Sequence, residues 1–419
     1  MVTVERKPAL EFIQSPTLLS PPTSLDDVPA HFAWLAEMRA AHPVYHDTQT
    51  DRWHVFRYED VSRVLTDYTV FSSESRGSQG ERDQSPFAAT MIGNDPPRHR
   101  QLRGLVSQAF TPRAIDALRP RITAITRDLL DVVRTRGTMD VIHDLAYPLP
   151  VTVIAEMLGV PIERQADFKR WSDAIVSVQL TGASDADALA RQQQFGLAMQ
   201  EMFVYFSGLL VYRRQHPGDD LVSGLLTAQL DGQHLTEMEL IGFCILLLVA
   251  GNETTTNLIG NAIYCLDAHP DAVAQVRRQP ELMPNLIEEV LRYLPPVWDM
   301  ARTVKIDAEI GGQHIPAGAP IVAWIVSANR DADQFPDPDR FDITRKPNRH
   351  LSFGHGVHTC IGAPLARLEA SIALPMMLSQ LPDLRRVPGE PVETIRSGIV
   401  FGAQHLPVTF TASVASMEM

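Results

Sequence analysis

The strongest chemical signal in the chain is Cys360, set in Phe353-Gly354-His355-Gly356-Val357-His358-Thr359-Cys360-Ile361-Gly362-Ala363-Pro364 and followed by a helical pattern from Leu365 to Met377. Pro364 suits the first turn of that helix, where its missing N–H has no intrahelical partner. The unpaired N–H groups and positive dipole end of the helix favour a thiolate at Cys360. Gly354, Gly356 and Gly362 permit tight turns and let a flat ligand approach the backbone. A thiolate presented in this way suits an axial metal ligand. A lone Cys is more often a small buried hydrophobe, and a phosphate cradle would need Lys-Ser/Thr after the glycines.

Three further groupings could do chemistry. Ala250-Gly251-Asn252-Glu253-Thr254-Thr255 ends the apolar run Leu240–Val249, and a carboxylate and hydroxyl there are costly unless they are satisfied or used. Thr254 can compete for a backbone carbonyl, and Gly251 removes a side chain beside it, which together would open a small polar groove. Glu289 and Arg292 share a face of the helical run Met283–Tyr293. His99 and Arg103 stand one helical turn apart, placed to reach a pair of carboxylates.

The loop FGxGxHxCxG resembles the haem-ligating loop of the cytochrome P450 superfamily, and all six of its specified positions agree. The resemblance runs from about Phe32 to the C-terminus, through Asp95-Pro96-Pro97, Ala301-Arg302-Thr303, Ala328-Asn329-Arg330-Asp331 and Phe335-Pro336-Asp337-Pro338-Asp339-Arg340-Phe341. It implies haem b (iron protoporphyrin IX) with Cys360 as axial iron ligand. His99, Arg103, Arg302 and His358 would hold the propionates, and Phe353, Gly354, Gly362 and Ala250 would also contact the cofactor. Glu253 and Thr254 take the part of the acid–alcohol pair that organises water and delivers protons during oxygen activation. Glu289 and Arg292 become a buried clamp serving folding, in which one unpaired partner would cost several kcal/mol.

The elements that must position these groups are mostly helical. Apolar residues recur at helical spacing through Arg113–Arg136, while strand-like pieces appear at Trp53–Arg57, Val304–Ile310, Ile321–Val326 and Leu406–Ala412. The expected fold is mainly α with small β-sheets, the cytochrome P450 fold. A length of 419 residues suggests two or three domains. No Gly/Ser linker divides the chain, and motifs near 100, 250, 302 and 360 must meet around one haem. One domain over residues 31–419, behind a loose leader at 1–30, is therefore expected.

Composition excludes several classes. A formal net charge of −13 argues against general nucleic-acid binding. Three cysteines without a CxxC pair argue against a disulfide framework or a tetrahedral zinc site, and Cys244 and Cys265 read as core residues. The N-terminus lacks the apolar core of a signal peptide, and the run Leu240–Gly251 is about half a bilayer span. A cytoplasmic monomer without membrane anchor is expected.

The expected activity is a monooxygenase that inserts one atom of O2 into a C–H bond of an apolar substrate of the terpenoid, fatty-acid or steroid class. Electrons would come from a separate ferredoxin with its reductase, docking on a basic patch of Arg98, Arg100, Arg113, Arg345, Lys346 and Arg349. Substrate-contact segments are Phe87–Ile92, Ser177–Leu180, Leu246–Ala250, Pro296–Met300 and Ile399–Phe401. Within them Met91, Leu246, Val249, Val297, Trp298, Ile399 and Val400 would line the pocket, Trp298 narrowing it. A peroxide-driven peroxygenase would share the cysteine loop, but Glu253-Thr254 argues against it. A non-catalytic haem sensor would need no acid–alcohol pair.

Overall fold

The apolar run before Gly251 lies inside one uninterrupted helix, Glu237–Ala268, in a computed structural model that describes residues 22–74, 86–178, 185–395 and 400–412. Thr236 starts this helix with a reciprocal cap. Its hydroxyl accepts the Glu239 N–H at 3.3 Å, and the Glu239 carboxylate accepts the Thr236 N–H at 2.8 Å. Arg98, at the start of the helix Arg98–Ala109, pairs with the same carboxylate. Twenty of the 32 residues are buried, so nearly every face is core.

The helices Pro148–Met157, Gln165–Val178, Met283–Tyr293 and Ala363–Gln380 pack around it. A Cβ on Gly251 would sit 2.9 Å from Ile154 Cδ1, and one on Gly260 would sit 2.7 Å from Ile142 Cδ1. Gly251 therefore serves close helix packing rather than opening a polar groove, because Ile154 fills the space beside it.

By length and composition, both Glu237–Ala268 and Leu189–Gln215 could cross a membrane, which the shorter run Leu240–Gly251 does not reveal. More than half of the apolar window in Glu237–Ala268 is buried against protein; the window in Leu189–Gln215 is largely uncovered.

The largest sheet orders its strands β1 (Val44–Asp47), β2 (Arg52–Val55), β8 (Pro320–Ala323), β5 (Met300–Val304) and β3 (Phe71–Ser72). Only β2 and β8 run parallel, with Trp53 opposite Ile321. A second sheet orders β4 (Thr138–Asp140), β10 (Pro407–Thr409) and β9 (Arg385–Arg386), and β6 (Ala308–Ile310) pairs with β7 (Gln313–Ile315).

Several expected elements divide. The Arg113–Arg136 pattern forms two helices, Pro112–Ala117 and Arg119–Val133, because Pro120 has no N–H to carry the ladder across the joint. Val304–Ile310 splits between β5 and β6, and the strand before Trp324 turns into a short helix, Ile325–Ala328. The expected loose leader does not extend to residue 30. Leu25 is fully buried, its N–H donates to Val392 O at 2.9 Å, and a helix begins at Val28. Cys244 and Cys265 are buried, and burial pushes both thiols up to about 12.

Candidate functional site

The cysteine loop is fixed by its own backbone. Cys360 N–H donates to Phe353 O at 2.8 Å, Gly354 N–H to Leu351 O at 2.8 Å and Thr359 N–H to Gly356 O at 3.2 Å. Gly354 and Gly356 hold φ of 70° and 75°, which side chains rarely adopt. At Gly356 a Cβ would also press to 3.0 Å from Thr66 Cα, so the loop lies directly on the helix Tyr58–Thr66.

Cys360 is exposed, open to the space beside the loop. Desolvation by the surrounding protein pushes its thiol up, while the N–H groups of Gly362 and Ala363 and the nearby Arg103 pull it back down. The expectation that helix N–H groups favour the thiolate thus holds as one contribution, outweighed here by desolvation. Gly362 supplies an N–H rather than space: a Cβ there would meet Cys360 Sγ at an ordinary 3.8 Å. Phe353 is covered by the Arg367 guanidinium at 4.4 Å.

Beside the loop four basic groups converge. His99 is 1% exposed, neither ring nitrogen has a partner, and its ring lies 4.3 Å from that of His358. Burial, then His99 and Arg302, lower His358 to about 3, so its imidazole is neutral. Arg302 is buried, and burial lowers it to about 10 although Asp95 opposes the shift. Arg103 is likewise lowered by burial, with Cys360 opposing. Asp95 already accepts Ser72 Oγ at 2.6 Å, Ser73 N–H at 3.0 Å and Lys305 Nζ at 2.6 Å.

Two guanidiniums and two imidazoles so placed, one of them with both nitrogens orphaned, are an environment for a dianion. With an adjacent sulfur backed by two N–H groups, this donor set fits haem, whose propionates the basic groups would hold and whose iron Cys360 would ligate.

On the long helix, Ala250 is exposed between the half-buried Val249 and Gly251, and Thr254 Oγ1 donates to Ala250 O at 2.8 Å. Burial, then Asp173, push Glu253 up to about 8, so the acid holds its proton at neutral pH. Tyr147 donates its hydroxyl to Asp173 Oδ1 at 3.0 Å, and Asn252 Nδ2 donates to Ser172 Oγ at 3.0 Å. Asp173, Tyr147 and Ser172 were not anticipated. Ser172 and Asp173 lie on the helix Gln165–Val178 and Tyr147 just before Pro148–Met157, and no local sequence pattern ties them to Glu253.

The expected pocket residues separate. Leu246, Val249 and Val297 keep accessible surface, whereas Met91 and Val400 are 8% and 6% exposed. Val297 and Val400 face one another across an isolated bridge. Trp298 corrects the expectation: it is fully buried, stacked on Phe401 at 4.1 Å and beside His31 at 5.1 Å. Its large apolar ring is turned into the core and does not narrow a pocket. Ile399 lies outside the described residues, as do Gln179 and Leu180.

The clamp forms as expected, with both side chains fully buried. Arg292 Nη2 and Nε reach the two Glu289 oxygens at 2.8 and 2.9 Å, and the guanidinium also donates to the carbonyls of Asn329, Pro338 and Arg340. Glu289 accepts further from Asp342 N–H and Asn348 Nδ2 at 2.8 and 3.1 Å. Arg345 belongs to this cluster, its side chain 8% exposed, and so drops out of the expected basic patch. Arg98 is engaged by Glu239, which leaves Arg100, Arg113, Lys346 and Arg349 exposed.

Comparison with known proteins places the chain in a family. The sequence model of the family described as Cytochrome P450 matches residues 26–404. Cytochrome P450 109 of Bacillus spizizenii is 46% identical over 377 residues, 90% of each chain. Erythromycin C-12 hydroxylase of Saccharopolyspora erythraea is 42% identical over 397 residues, covering 92% of this chain and 97% of the relative. Substrate-free CYP109E1 from Bacillus megaterium superposes with a TM-score of 0.87 at 43% identity, covering 91% of this chain and 99% of that one. The same enzyme in complex with testosterone gives a TM-score of 0.82. With a helical body, small sheets and a thiol loop beside a haem-shaped donor set, the chain belongs to the cytochrome P450 family and is a haem-thiolate monooxygenase.

Proposed function

We propose that this enzyme inserts one oxygen atom from O2 into a C–H bond of an apolar, medium-sized substrate of the terpenoid, fatty-acid or steroid class. The observation that carries the reading is the convergence of Cys360 with His99, Arg103, Arg302 and His358. Haem b, when bound, supplies the oxidation chemistry, which a thiolate ligand directs toward O–O cleavage. The protein does the rest. The four basic groups bind the propionates and set the haem's orientation. Leu246, Val249 and Val297 present apolar surface to the substrate and exclude water. Glu253 holds a proton at its carboxyl, and the adjacent Thr254 carries a hydroxyl that rests on the Ala250 carbonyl, so the two form the relay.

A steroid-sized substrate is supported by the neighbour crystallised with testosterone. The chain from Leu25 onward is read as one haem-enclosing domain, acting as a cytoplasmic monomer. An acidic ferredoxin would dock on Arg100, Arg113, Lys346 and Arg349.

The test is the absorption spectrum of the reduced protein under carbon monoxide. A red-shifted Soret band of the thiolate type is expected, and Cys360→Ser should abolish it. A band of the histidine type, or a protein that binds no haem, would overturn the reading.

A further inference from the structure

Away from the haem residues, the edge where β4 meets β10 gathers three metal-ligating side chains that the monooxygenase reaction does not use. Asp140 ends β4, His143 lies three residues on, and His405 stands just before β10. Their ligand atoms all lie within 4.8 Å of one another.

The carboxylate of Asp140 is locked in place. Its Oδ1 accepts the N–H groups of Ile142 at 2.9 Å, Leu406 at 3.1 Å and His143 at 3.4 Å. Its Oδ2 is thereby aimed at both imidazoles, 2.8 Å from His405 Nδ1 and 3.3 Å from His143 Nδ1. The two rings stack face to face, 4.4 Å between centroids and 9° from parallel. Both thus present the same nitrogen to one oxygen.

A metal 2.0–2.1 Å from each ligand would set tetrahedral edges of roughly 3.3 Å, which the His143 separation of 3.3 Å matches and the His405 separation of 2.8 Å would reach by widening about 0.5 Å. Asp144, which accepts the Asp140 N–H at 2.9 Å, adds a second negative charge nearby. The imidazole side chains are 50% and 65% exposed, so a cation can arrive from solution and keep water as its remaining ligands.

We propose that Asp140, His143 and His405 form a Zn2+ site that clips the C-terminal strand β10 to β4. Two nitrogens and a carboxylate oxygen are the donors that suit zinc. The site joins residues 265 positions apart, so it is invisible to any count of cysteines or local spacings.

Purified haem-loaded enzyme is titrated with ZnCl2 by calorimetry and by thermal unfolding. The expected result is one saturable Zn2+ per chain, with the unfolding midpoint raised by several degrees at about 100 times the dissociation constant. His405→Ala and His143→Ala should each weaken binding about tenfold or more while leaving the haem spectrum unchanged. Asp140→Asn, which keeps an oxygen for the N–H groups, should do the same. His46→Ala, at an exposed His–Asp pair elsewhere, should bind as the parent does. Absence of saturable binding below millimolar zinc, or binding unchanged in the His143→Ala/His405→Ala double variant, would overturn the proposal.

Discussion

Glu289 and Glu253 sit on helices that pack against each other, and the protein treats these two enclosed acids in opposite ways. Glu289 meets a guanidinium, a backbone N–H and an amide, so its charge is matched by donors on every side. Glu253 has burial and another carboxylate, Asp173, as its main influences, and it responds by keeping its proton to about pH 8. A matched charge is inert and good for holding chain segments together. An acid whose proton is held and can be released is suited to relay work.

Breaking the clamp should have the largest effect. Arg292→Ala strands the Glu289 charge in the core and should cost about 3–5 kcal/mol in urea unfolding. A loss under about 1 kcal/mol would mean that Glu289 is not dependent on its partner. Trp298 belongs with the clamp as a structural residue, so Trp298→Ala should cost about 3–4 kcal/mol. A change confined to substrate affinity would return it to the pocket.

Glu253→Gln sharpens the other side. Glu253 releases its proton near 4.5 when unfolded and near 8 when folded. The unfolded state therefore loses the proton first, and the parent loses stability as pH rises between those values. Above pH 8 the loss levels off. Relative to Glu253→Gln, which does not titrate, the parent should drop by on the order of 3 kcal/mol across that window. Parallel stability profiles for the two proteins would show that Glu253 is already ionised in the fold.

Thr254→Ala should perturb stability least, by under about 1 kcal/mol. It should still lower the product formed per O2 consumed, measured with a surrogate ferredoxin system. Unchanged coupling would remove Thr254 from the relay.

The parts legible in the sequence are those in which one short stretch holds all its partners. Cys360 and its glycines share a loop, and Glu289 and Arg292 share a helical turn whose geometry the spacing dictates. His99 and Arg103 are legible for the same reason. What escaped depends on distant elements. The neighbours of Glu253 come from two other helices, with Ser172 and Asn252 80 positions apart. The burial of Arg345 follows from carbonyls at Pro336, Asp337 and Arg340 folding back over it. Trp298 has Val297 and Asp299 as chain neighbours, and no local pattern says which of the three turns inward. Gly251 looked like a gap in one helix because Ile154, which fills it, lies on another.

The parallel pairing of β2 with β8 has a consequence for how the molecule is made. Trp53 waits for Ile321, and Ser73 waits for His358, 285 positions later in the chain. Contacts of such separation form slowly and only after most of the polypeptide has left the ribosome. Early in synthesis the first hundred residues, with the edge of β2 and the aromatic side chains around Trp34, lack their partners. Shielding of that nascent segment by chaperones, together with the supply of haem once Cys360 emerges, should govern how much active enzyme a cell accumulates.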